Sequence, residues 1–87
     1  MLTSAQIRAA RGYLNISQIE MAKETGISMN TFYRLEGDEE LVARANLATI
    51  KKIKEFFEER GIKFLAASEE DGSGTGLRYF PNKKRGN

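Results

Sequence analysis

The 87-residue chain has no cysteine, no histidine and no tryptophan, and its only proline is Pro81. Without cysteine there is no disulfide and no thiolate metal site, which fits a reducing compartment. Without histidine, imidazole acid–base catalysis and imidazole metal ligands are excluded. No paired carboxylates sit in an evident apolar setting, so the reading is of a protein that is not an enzyme and takes no metal or cofactor. Apolar runs are too short to cross a membrane, and the first residues lack the basic-then-apolar layout of a signal peptide. These features lead to an expectation of a cytoplasmic protein. Charge of one sign is also scarce: the formal net charge is +2. A phosphate-binding surface needs a local basic face, however, and not a high total.

What is present is helical periodicity in the first two thirds of the chain. Thr3 followed by Gln6 has the form of a capping box, and Ile7, Ala10 and Leu14 then share one face. Ser17 with Glu20 suggests a second helix start, with Met21, Ala22 and Thr25 inward and Gly26 after the last turn, where a left-handed residue is expected. Ser28 can cap a third helix, with Ile27 set to staple against Phe32. Phe32 and Leu35 form its apolar stripe, leaving Met29, Asn30, Tyr33 and Arg34 outside. Residues 38–45 read as a charged loop with at most a helical turn. Asn46 can cap a long helix from Leu47 to Arg60, with Leu47, Ile50, Ile53 and Phe57 on its apolar stripe and Gly61 as its stop.

Beyond Gly61 the pattern changes to alternation. Ile62 and Phe64, then Leu77, Tyr79 and Phe80, flank a polar glycine-rich segment, which reads as a β-hairpin that Pro81 ends. The expected architecture is mainly α, a four-to-five-helix domain over 1–60, with a hairpin over 61–81 and a basic tail over 82–87.

The stretch Ser17–Glu36 has the layout of a helix-turn-helix, in which one helix braces and the next enters the DNA major groove. The side chains suit those roles. Asn30 can bond adenine through both amide groups, Arg34 can fork onto guanine or a phosphate, Met29 can touch a thymine methyl, and Tyr33 can reach a base, sugar or phosphate. Gln18 at the first turn of the second helix can donate to a backbone phosphate, and Ser28, Thr31 and Arg44 are further candidates for phosphate contact.

Residues 2–60 resemble the Xre-type helix-turn-helix regulators, the lambdoid phage repressor and Cro-like family. The pattern is an arginine late in the first helix, then leucine, a Ser-Gln start, Leu-Ala, Gly-Ile/Val-Ser and a closing glutamate. It is matched by Arg11, Leu14, Ser17 and Gln18, Met21 and Ala22, Gly26 to Ser28, and Glu36. The resemblance implies an ion pair of Arg11 with Glu36, Gln18 on phosphate, and Met29, Asn30 and Tyr33 near bases. It further implies a dimeric repressor of a prokaryotic or phage promoter, with double-stranded DNA as partner. Met29 departs from the polar residue common at its position. The chain also lacks the short fifth helix usual at the C-terminus; its GIKFL and GLRYF segments look like a bacterial subgroup that ends in a hairpin.

An isolated hairpin is marginal in water, so two placements are open. Ile62, Phe64, Leu77 and Tyr79 can join two copies, or the hairpin can fold back on its own chain. The competing functional reading is an antitoxin or anti-activator module that holds a protein partner through the same fold.

Overall fold

The computed structural model describes residues 2–81; the expected basic tail lies outside them. Among the described residues there are five helices followed by two strands. They are α1 (Ser4–Leu14), α2 (Gln18–Thr25), α3 (Met29–Gly37), α4 (Glu39–Arg44), α5 (Leu47–Glu59), β1 (Ile62–Leu65) and β2 (Gly76–Tyr79).

The helix boundaries follow their caps. Thr3 and Gln6 form the complete capping box of α1. Ser17 accepts from the Glu20 amide and Ser28 from the Thr31 amide, each filling an orphan donor at a helix start. Gly26 ends α2 at φ 76°, the left-handed conformation that costs glycine least.

Two expectations are corrected. Residues 39–44, read as a charged loop, form a helix, so the described residues hold five, and the expected hairpin follows them. So short a helix is marginal alone, and tertiary partners explain it. Asp38 caps it by accepting from the Glu40 amide at 3.0 Å. Glu39 also accepts from the Ser4 amide and hydroxyl at 2.8 and 3.0 Å, so one carboxylate caps the start of α1. Val42 is buried against the core. The second correction is Leu47, which is 81% exposed. The apolar stripe of α5 starts at Ile50 instead and continues through Ile53, Phe56 and Phe57. The first turn of α5 projects beyond that stripe, and there Leu47 flanks a surface groove.

The core gathers Ile7, Met21, Phe32, Val42, Ile53, Phe57 and Ile62, all fully buried. Arg60 joins α5 to α2. Its guanidinium lies 3.6 Å from the Phe56 ring centroid and reaches Glu24 at 3.3 Å.

The strands pair antiparallel, Ile62 opposite Tyr79 and Phe64 opposite Leu77. The hairpin lies on its own chain. Ile62 is 1% exposed and inside the core, the Phe64 ring meets Phe57 edge-on at 5.9 Å, and Tyr79 sits 5.0 Å from Tyr13 of α1. Leu77 packs against the same core. Gln6 fixes this placement. Its Oε1 accepts from the Thr3 amide, while its Nε2 donates to the carbonyls of Leu65 and Gly76, one on each strand. Gly61 makes the turn from α5 at φ 97°, and its carbonyl accepts from the Phe80 amide at 2.7 Å.

Candidate nucleic-acid interface

The frame of the helix pair is set by buried side chains below it. Met21, Ile27, Phe32 and Leu35 anchor α2 and α3 in the core, and Ala22 packs at its edge. A buried polar knot ties the frame to α1. The Glu36 carboxylate, 4% exposed, receives Arg11 Nε at 2.7 Å and Nη2 at 3.0 Å, and Gln18 Nε2 at 3.1 Å. Arg11 also donates to the Ile16 carbonyl. The bidentate bond from Glu36 raises the Arg11 pKa above its ordinary value, against the opposing effect of burial. The guanidinium charge is held by this bond, and the start of α2, the end of α3 and α1 near Arg11 are tied together through one carboxylate.

Above this frame, α3 presents a polar outer face. Met29 is 47% and Tyr33 69% exposed, and Asn30 and Arg34 are exposed beside them. Among the described residues Arg34 has no carboxylate partner. Clefts flank α3 on both sides. One, of about 460 Å³, lies between α1, the start of α2 and α3, and is lined by Arg8, Gln18, Tyr33 and Arg34. The other, of about 220 Å³, lies between α3 and the α4–α5 corner, with Thr31, Arg34, Arg44 and Asn46 on its wall. A helix seated in a major groove has a phosphate strand on each side, and polar and basic groups here stand on both sides.

A family model of the Cro/C1-type HTH DNA-binding domain matches residues 6–60, well over half of the chain. The chain belongs to the Cro/C1-type helix-turn-helix family. The matched segment begins at Gln6, within the first turn of α1, runs through α5 and stops before the hairpin. Searches of curated proteins and of solved structures found no match.

Within this Cro/C1-type domain, the four residues expected to read bases share one exposed helix face. The residues expected on phosphate are divided. Thr31 and Arg44 line the cleft beside α4, and Ser28 lies at the exposed start of α3, its hydroxyl 2.8 Å from that of Thr31. Gln18 lines the opposite cleft, but one amide N–H is already held by Glu36, so it joins the frame as well as the surface. The Arg11–Glu36 ion pair is present as the resemblance implied. The four hairpin side chains expected between two copies all pack on their own chain.

Two contributors were not evident from sequence. Arg8 donates to the backbone carbonyl of Glu36, closing the end of α3 while standing on the cleft wall. Its signal was available: it lies three residues before Arg11, the i,i+3 spacing that puts two side chains on one helix face. Gln6 was recognised only as a capping partner. Its second role depends on strands roughly sixty and seventy residues away, which no local pattern reports.

Proposed function

We propose that this chain is a sequence-specific transcriptional regulator, a repressor that binds double-stranded DNA as a homodimer in the cytoplasm and catalyses no reaction. The observation that carries this reading is the outer face of α3, where four side chains with no hydrogen-bond or ion-pair partner among the described residues stand between two clefts that carry basic and polar groups on their walls. In the proposed mode α3 lies in the major groove. Asn30 and Arg34 supply the bidentate contacts, each worth about 1–3 kcal/mol of discrimination. Met29 meets a thymine methyl, and Tyr33 reaches a base or sugar edge. Ser28, Thr31 and Arg44 hold one phosphate strand, and Gln18 with Arg8 holds the other. The Glu36 knot keeps the two strands' contacts in register with α3 by fixing the angle between α1, α2 and α3.

No helix of the described residues is long and apolar enough to cross a membrane, which is compatible with a protein that reaches DNA. In this reading repression comes from occupancy, the bound domain covering the promoter.

The test separates positioning from reading. Arg44→Ala should weaken binding to all sequences alike and lower the salt slope by about one. Asn30→Ala should flatten the preference among operator variants while leaving the salt slope in place. Identical behaviour of the two variants would refute these roles. A chain that binds no DNA at low salt, yet co-purifies with a protein partner, would favour the antitoxin or anti-activator reading instead.

A further inference from the structure

The largest recess described lies away from the reading face. It is a groove of about 780 Å³ between α4, the first turns of α5 and β1. Leu2, Val42, Ile50 and Phe64 form its apolar wall, and Leu47 stands at its rim at 81% exposure. No acidic residue lines it, and its polar side chains are Gln6, Lys51 and Lys54. The Gln6 amide is already bonded to Thr3, Leu65 and Gly76. Lys51 forms no ion pair among the described residues, and Lys54 meets Glu58 at 3.9 Å in a solvent-exposed pair. The two ammonium groups are therefore the lining side-chain donors left for a ligand, and they stand together on α5 at one border of an apolar surface.

We infer that this groove is an effector site for a small apolar acid of the medium-chain carboxylate type, and that its occupant weakens DNA binding. The chain of the acid lies on the apolar wall and its carboxylate meets Lys51, with Lys54 beside it. Small-molecule sites run to about 300–1,000 Å³ and combine apolar walls with a few polar groups, and this groove has that size and make-up. Its charge selects the ligand. An anionic head matches the two ammonium groups, whereas a cationic head would be repelled and a sugar-like body would bury hydroxyls without partners on the wall. A bound chain also gives Leu47 an apolar neighbour at the rim. The coupling to DNA rests on the DNA-binding reading above, and its route is the corner between α4 and α5. The backbone there is extended, with ψ 155° at Ala45 and 133° at Asn46. Ala43 and Leu47 line the groove, Arg44 and Asn46 line the cleft beside α3, and Ala45 borders both. A ligand in the groove thus bears on the back of the segment whose front carries Arg44. It also adds a negative charge to the domain, which opposes phosphate contact on that side.

The experiment is titration of the full chain with decanoate below its micelle concentration, followed by amide chemical shifts, with decanol and decyltrimethylammonium as probes of equal chain length. Decanoate should shift the amides of Ala43, Leu47, Lys51 and Phe64 saturably and leave those of α2 in place. Decanol should bind more weakly and the cationic amphiphile weakest of all. Octanoate should bind less well than decanoate, by roughly threefold to fourfold for each methylene lost. Lys51→Glu, at an exposed position, should keep the wild-type melting temperature and weaken decanoate at least roughly tenfold, because an attraction becomes a like-charge repulsion. Equal binding of the cationic amphiphile, shifts spread over the whole surface, or a Lys51→Glu variant that binds decanoate as the wild type does would each overturn the site. Binding to anionic phosphatidylglycerol vesicles without binding of free decanoate would overturn it in favour of a membrane surface. The coupling is read by repeating a titration of duplex selected from random sites with decanoate present. DNA affinity should fall about fivefold or more in the wild type and stay unchanged in Lys51→Glu. Unchanged DNA affinity in a decanoate-saturated wild type would refute the coupling and leave the site standing, whereas a wild type that binds no DNA in the absence of decanoate would refute the DNA-binding reading independently.

Discussion

Replacing Glu36 with glutamine probes the frame on which the reading face depends. The substitution keeps the shape and removes the charge. In the native knot the carboxylate accepts three N–H groups, two from Arg11 and one from Gln18. A glutamine amide can accept with its oxygen, but its NH2 group then points at another donor, and the Arg11 guanidinium loses its counter-charge. Breaking a buried ion pair from one side costs about 3–5 kcal/mol. The Arg11 side chain is 27% exposed, so water recovers part of this and about 2–4 kcal/mol is expected. Domains of this size have about 5–10 kcal/mol in total. With about 4–8 °C per kcal/mol, the melting temperature followed by far-UV circular dichroism should fall by about 8–32 °C. Arg11→Met alone should do comparable damage by leaving the carboxylate unpaired. The double variant Arg11→Met with Glu36→Leu should lose less than the sum of the single variants. Because Glu36 holds the Arg11 pKa above its ordinary value, this arginine's contribution is fully present at every pH below that ordinary value and is lost only as pH rises through the raised one. A fall of less than about 3 °C for Glu36→Gln, or strict additivity in the cycle, would refute the reasoning.

Other substitutions test the hairpin and its turn. Gln6→Leu should cost about 2–3 kcal/mol by leaving the Leu65 and Gly76 carbonyls unpaired, and hydrogen exchange should quicken in β1 and β2 before α2 and α3; uniform exchange would contradict the anchoring role. Gly61→Ala should be far worse than Gly26→Ala. Both glycines have positive φ, but a Cβ at Gly61 would meet the Phe80 carbonyl oxygen at 2.6 Å, while at Gly26 nothing lies within 4 Å. The expected losses are about 2 kcal/mol or more against about 1 kcal/mol, and equal melting temperatures would sink the steric argument. The Asp71 pKa is lowered chiefly by the Ser73 hydroxyl and then by the Ser73 amide. A lowered carboxylate pKa stabilises the bound form above the ordinary value of 3.8 and loses that contribution as pH falls through the lowered one. The Ser73 amide resonance should therefore shift at a more acidic midpoint than free aspartate; a midpoint at or above the ordinary value would contradict the contact.

The helix pair was legible in the sequence because its determinants are local. Ser17, Gly26 and Ser28 act within a turn of where they stand, and Phe32 with Leu35 marks a helix face by spacing alone. The two departures were not local. Helix α4 depends on Asp38 capping its start and on Glu39 reaching Ser4 across the fold, so two of the charges that make residues 38–45 look like a loop are the groups that hold it in place. Leu47 kept the helical period of the stripe, but period tells nothing about where the neighbouring elements stop. The same limit applied to the hairpin. Alternation predicted the strands, whereas their seat on α1 and α5 depended on Gln6 and on ring contacts of Tyr13 and Phe57. At the candidate interface the reading residues were evident as polar positions outside an apolar stripe. The dual placement of Gln18 was not, because the sequence does not say that Glu36 lies within reach of its amide.

The central claim is that the outer face of α3 reads DNA sequence. Its most direct test is selection of bound sites from random duplexes by the wild-type chain, followed by titration of the selected site and its single-base variants with wild type and Asn30→Ala. The account predicts one preferred sequence with two-fold symmetry, affinity that falls steeply with salt, and loss of about 1–3 kcal/mol of discrimination at a single base pair per half-site in Asn30→Ala. Selection that returns no preferred sequence, or an Asn30→Ala variant with the wild-type preference at every position, would contradict it.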